Sequence, residues 1–158
     1  MTKAPGSRQE LRRRIYRKAK SEPTHRFWGL FVPITKIESL DEAYRMAKGN
    51  EGAPGVDGQS FRDIESAGRD AFLAAVREDL DTGRYKPMPN RRVEIPKGNG
   101  KFRTLQTPCI LDRVVQGALK LILEAVFEAD FCPNSYGLRP QRSPHQALAE
   151  VRRSVVRR

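Results

Sequence analysis

Between residues 110 and 127 the chain sets Val114, Val115, Ala118, Leu121, Ile122, Ala125 and Val126 at helical spacing. A helix apolar around so much of its girth must be covered by other elements. The fold is therefore expected to be built around this segment, with the rest of the chain supplying amphipathic partners.

Those partners are legible as short helices. Residues 9–20 read as a strongly basic helix with a narrow stripe of Leu11, Ile15 and Ala19, ended at Ser21-Glu22-Pro23. Phe27, Trp28, Leu30, Phe31 and Val32 form an aromatic-rich patch before Pro33, of the kind found in a core or a docking surface. A second helix is expected to start at Ser39, where Ser39 and Glu42 form a capping box. Ala43, Met46 and Ala47 would be its apolar side, and Gly49 its stop. A third is expected over residues 63–80, with Phe72, Leu73, Val76 and Leu80 on one face and Gly83 ending it. Ser143 caps a last helix, with Pro144 in its first position and Gln146 closing a capping box. Ala147, Leu148, Val151 and Val155 are its expected buried stripe. That helix meets no stop signal before the C-terminus, which suggests truncation in mid-element.

Two stretches cannot be helix. GNEGAPGVDG, residues 49–58, holds four glycines and a proline in ten residues and reads as a loop. Residues 85–89, Tyr-Lys-Pro-Met-Pro, must be extended. Residues 91–95 then alternate, with Val93 and Ile95 on one face and Arg92 and Glu94 on the other, as in a half-buried strand. Lys97-Gly98-Asn99-Gly100 is turn chemistry, and residues 101–106 form the return strand. The fold class is α+β, five helices with one projecting antiparallel hairpin.

Charge narrows the function. Thirty Lys and Arg against 19 Asp and Glu leave a net charge of +11 over 158 residues, which predicts polyanionic partners, nucleic acid first. The cations are segregated: eight against one acid in residues 1–20, seven against one in residues 84–103, and four arginines in the last nine residues, while residues 21–83 are net acidic. No apolar run is long enough to span a bilayer, and the basic N-terminus lacks the apolar core of a secretion signal. A cytoplasmic protein with no membrane partner is expected. Cys109 and Cys132 lie far apart and read as two free thiols; with only His25 and His145 beside them, a zinc site is not expected.

The candidate chemistry centres on the hairpin. Lys101 and Arg103 point the same way and Lys97 stands at the turn, so three cations could close on a phosphate chain. The same charges also fit a solubilising strand edge. GAPGVDG lacks the lysine and preceding strand of a phosphate-binding loop, and Asp57 within it reads as a turn former. Glu78, Asp79 and Asp81 are successive on a helix end, where they diverge rather than converge on a metal. No Ser/His/Asp or Cys/His set stands out.

Taken in order, KAKSEPTHRFW, GAPGVDG, RRVEIPKGNGKFR, DRVVQGALKLILEAVFEADF and SYGLRPQRS make the chain resemble the N-terminal part of group II intron-encoded reverse transcriptases and maturases. The resemblance implies the mainly helical fingers region of a right-hand polymerase with its projecting hairpin. Residues 1–35 would be a basic N-terminal extension, residues 36–83 a helical extension with the glycine loop, and residues 84–158 the fingers hairpin and start of the palm. It implies that Lys97 and Arg103 contact the triphosphate of the incoming nucleotide, and that the glycine loop packs over the template–primer. Arg139 and Arg142 become candidate template contacts. Arg91, Arg92, Lys101 and, in the N-terminal helix, Arg12, Arg13 and Lys18 become general RNA contacts. Intron RNA, template–primer and a downstream palm and thumb polypeptide are the implied partners.

The departures are specific. Where the family commonly has R-P-L-G-I-P, this chain has Arg103-Thr-Leu-Gln-Thr-Pro108; Leu138 stands in place of a usual Phe, and Gln141 in place of a usual Gly. The metal-binding aspartates of the family are absent. The full-length family reaction, RNA-directed DNA synthesis with two Mg2+ ions, is then not expected of this chain alone, which would have no catalytic residues or metal of its own. The alternatives are a stand-alone basic RNA-binding module or a non-functional gene fragment.

Overall fold

The computed structural model describes residues 6–98 and 100–156. Lys3, Asn99 of the expected turn, and Arg157 and Arg158 of the basic C-terminus lie outside the described residues. The elements run α1 (Gly6–Ser21), α2 (Phe31–Thr35), α3 (Ile37–Gly49), α4 (Phe61–Ala67), α5 (Arg69–Asp81), β1 (Arg91–Lys97), β2 (Lys101–Thr107), α6 (Ile110–Asp130) and α7 (Pro144–Val156). The α+β class holds. Contacts group the chain into two compact units, one of residues Phe27–Leu123 and one of Met1–Arg26 with Glu124–Arg158.

The larger unit is packed on the first part of α6. Ile110, Val114 and Ala118 are fully enclosed there, with Leu40, Tyr44, Ile64, Leu73 and Val76 buried among the helices α3 to α5. Tyr44 anchors that layer. Its ring meets Phe61 edge-on at 5.5 Å and its hydroxyl donates to Glu65 at 2.9 Å. Burial first, and then the neighbouring carboxylate, push its phenol up to about 12.

Three expectations change here. The single helix over residues 63–80 is two, because Gly68 at φ 109° breaks the path and few other residues tolerate that angle. Ser60 opens α4 with a capping box shared with Asp63. Ser39 is no cap: α3 begins earlier, at Ile37, and the Ser39 hydroxyl donates to the Pro33 carbonyl at 2.7 Å, tying α3 to α2. Of the two readings of the aromatic patch, core and docking surface, the first does not hold for Trp28, which is 84% exposed, or for Phe31 and Val32, which are open to solvent.

In the smaller unit α1 lies along the end of α6. Ile15 and Ala19 are buried, Arg12 pairs with Glu124 at 2.6 Å, and Lys20 donates to the Ala129 carbonyl at 3.0 Å. Ser143 and Gln146 cap α7 reciprocally, as read from the sequence. The apolar stripe of α7 is not buried: Leu148, Val151 and Val155 are each more than 60% exposed. Periodicity marks which residues share a face but not whether anything covers that face.

Candidate nucleic-acid interface

The hairpin stands on a fixed base. Asp112, in the first turn of α6, is 1% exposed and accepts hydrogen bonds from the Tyr85 hydroxyl at 2.6 Å and the Met88 amide at 3.2 Å. These bonds pin the extended segment that leads into β1. Burial and the Asp112 carboxylate push the Tyr85 phenol well up. The glycine loop forms the other side of the base. Gly55 packs so tightly on Cys109 that a Cβ there would lie 2.6 Å from its backbone. Arg113 donates to the Pro108 carbonyl at 3.0 Å and also to Ala53 in the loop, and Arg91 reaches the Pro54 carbonyl at 3.4 Å. Asp112 and Arg113 escaped the sequence reading because only the apolar positions of that helix carried its pattern. An acid beside a basic residue in the first turn of an otherwise apolar helix was the available signal.

Above this base the blade is bare. Val93 faces Leu105, Ile95 faces Arg103, and Lys97 faces Lys101. Directly opposed residues share a face, so Arg91, Lys97, Lys101 and Arg103 lie on one side together with Val93, Ile95 and Leu105. Arg92, Glu94 and Phe102 lie on the other. The half-buried strand expected from alternation is exposed along its length, Val93 and Ile95 at 38% and 37%, since among the described residues the sheet has two strands and no third covers them. Among the described residues Arg92, Lys97, Lys101 and Arg103 have no ion-pair partner. Two lysines opposed at the tip repel each other, and a bound anion would relieve that repulsion.

The other expected contacts divide. Arg139, expected at the template, is turned inward with its side chain 8% exposed. Its guanidinium forks onto Glu128 at 2.8 and 3.0 Å, donates to the carbonyls of Cys132 and Ser135 at 2.9 Å, and lies 5.0 Å over the Phe131 ring. It holds the loop that follows α6, and it keeps the Glu128 carboxyl below the usual range. Arg142 lies over Tyr136 at 5.2 Å. Lys18 is paired with Glu22 at 2.5 Å and Arg12 with Glu124, while the Arg13 side chain has no partner among the described residues. Arg13 borders a groove of about 420 Å³ in the smaller unit, between α1, the end of α6 and residues 140–141. Gln141 on its lip has φ 58°, which accounts for the Gly that the family pattern carries there.

The acids at the end of α5 and at the start of α6 are already engaged. Arg84 pairs with Glu78 and Asp79, Arg77 pairs with Asp81, and Asp112 is occupied by Tyr85 and Met88. No group of three His, Cys, Asp or Glu side chains able to hold a metal occurs among the described residues. No helix among them is long and apolar enough to cross a membrane.

No family model matches the chain. Among curated proteins it is 41% identical over 145 residues to Protein YkfC of Escherichia coli K12, covering 90% of this chain and 38% of that one. It is 33% identical over 132 residues to the group II intron-encoded protein LtrA of Lactococcus lactis subsp. cremoris, covering 80% and 21%. It is 36% identical over 75 residues to the mitochondrial nuclear intron maturase 1 of Arabidopsis thaliana, covering 43% and 10%. The chain spans well under half the length of each of these relatives. With five motifs in order and identities running through most of its length, the chain is homologous to group II intron-encoded proteins and intron maturases.

Proposed function

We propose that this chain is the extension-and-fingers part of a group II intron reverse transcriptase and maturase, binding RNA and the phosphates of an incoming nucleotide. In this reading residues 1–35 and 36–83 are the two parts of the extension, and residues 84–158 the fingers hairpin and start of the palm. The observation that carries it is the exposed face on which Lys97, Lys101 and Arg103 converge without acidic partners. Lys97 and Arg103 hold triphosphate oxygens, the lysine as a point charge and the arginine as a planar fork. Arg91, Arg92, Lys101 and Arg13 meet the RNA backbone. In this reading the chain alone does not polymerise, and Mg2+ belongs to the full-length family enzyme.

The open apolar face of α7 favours this reading over a stand-alone module, because a self-sufficient domain rarely leaves such a stripe uncovered. A palm and thumb polypeptide would cover it. The test is titration of a fluorescent single-stranded RNA at several salt concentrations. Affinity should fall steeply with salt, and Arg92→Ala with Lys101→Ala should lower the slope by roughly 0.7 for each phosphate no longer neutralised. Primer extension on an RNA template with Mg2+ should be absent. Salt-independent binding would sink the RNA reading, and extension by the purified chain would sink the inactive-alone reading.

A further inference from the structure

The groove beside α1 has a composition that generic phosphate binding does not explain. Its volume of about 420 Å³ is within the range of small-molecule sites. Glu124 and Glu128 are among its lining residues, and carboxylates do not attract phosphate. Both are neutralised, by Arg12 and Arg139, so they act as hydrogen-bond acceptors rather than as net charge. The Tyr16 ring lines one wall and is 41% exposed. Gln9 and Gln141 also line it, and each amide has donors and an acceptor. Gln141 does so from a left-handed backbone that few non-glycine residues adopt. Arg13, with no partner for its side chain among the described residues, is the one uncompensated cation at the rim.

We propose that this groove receives a single unpaired nucleobase of an RNA strand. The base stacks on Tyr16, its exocyclic amine donates toward Glu124 or Glu128, its ring edge meets the glutamine amides, and Arg13 holds the adjoining phosphate. The inference rests on the RNA-binding reading above and adds a base-recognising site separate from the hairpin residues.

The experiment compares two fluorescent strands of about 12 nucleotides, within the usual site size for single strands, at one salt concentration. One is an unstructured RNA, and the other has the same ribose-phosphate backbone without bases. The base-bearing strand should bind roughly 5- to 100-fold more tightly, the range of one stacked base. Tyr16→Ala and Gln141→Gly should reduce that preference, while Tyr16→Phe should keep it and Lys101→Ala should weaken both strands alike. Equal binding of the two strands by the unaltered chain overturns the groove and leaves the RNA reading standing. A preference that survives Tyr16→Ala also overturns it. Failure of both strands to bind in dilute buffer overturns the RNA reading and the groove together.

Discussion

The hairpin and the loop after α6 both carry arginines that the sequence marks as nucleic-acid contacts, and the protein uses them in opposite ways. On the hairpin Lys97, Lys101 and Arg103 are exposed and unpaired among the described residues. In the loop Arg139 is enclosed, with donors directed at Glu128, Cys132 and Ser135. The first set is available to a ligand, and the second holds the protein's own backbone. A count of cations therefore overstates the binding surface, and what separates the two sets is whether a carboxylate lies within reach.

The contrast is broken most directly at Arg139. Arg139→Ala should lower the melting temperature by at least about 5 °C, because two carbonyls and a carboxylate lose their donor at once. The loss should depend on pH. Glu128 is held below its ordinary value of 4.5, so its contribution is complete above that value and disappears as pH falls through the lowered one. Melts of the two proteins should therefore draw closer in acid without meeting, because the two carbonyl bonds do not titrate; an unmoved melt at neutral pH would place Arg139 back among the free cations.

A smaller effect is expected at the hairpin's base. Tyr85→Phe removes the 2.6 Å bond to the buried Asp112 and should cost about 1–3 kcal/mol in a urea titration. Gly55→Ala should cost a similar 1–3 kcal/mol, since its new methyl meets the Cys109 backbone. Its RNA affinity should drop as well if the loop positions the hairpin. The least change in stability belongs to the tip. Lys97→Ala and Arg103→Ala should stay within about 0.5 kcal/mol of the parent, and Lys101→Glu should gain a few tenths by turning a repulsive pair into an attractive one. Large destabilisation by any of these would mean the tip is part of the packed structure.

Much of the fold could be read from local pattern. The central helix, the hairpin, the Gly83 stop and the Ser143–Gln146 cap all depend on residues a few positions apart, so the sequence carries them directly. The split at Gly68 was missed because one glycine inside a helical period is compatible with either outcome until its φ is known. The exposed stripe of α7 and the bare face of the hairpin were read as buried for a related reason: amphipathicity selects a face without supplying its cover. Of the candidate site, the hairpin cations were legible, whereas Asp112 and Arg113 were not, since their partners Tyr85, Met88 and Ala53 are distant in sequence.

By itself the sequence determined the family resemblance, most of the order of elements and the location of positive charge, because each is written in residue types and short spacings. Only the tertiary structure decided which charges are free. Lys97 and Lys101 face each other across a register that brings no acid near them, while Glu128 reaches Arg139 across a loop and neutralises it. Electrostatic pairing depends on distances of a few ångströms between groups far apart along the chain, and those distances exist only once the chain has folded.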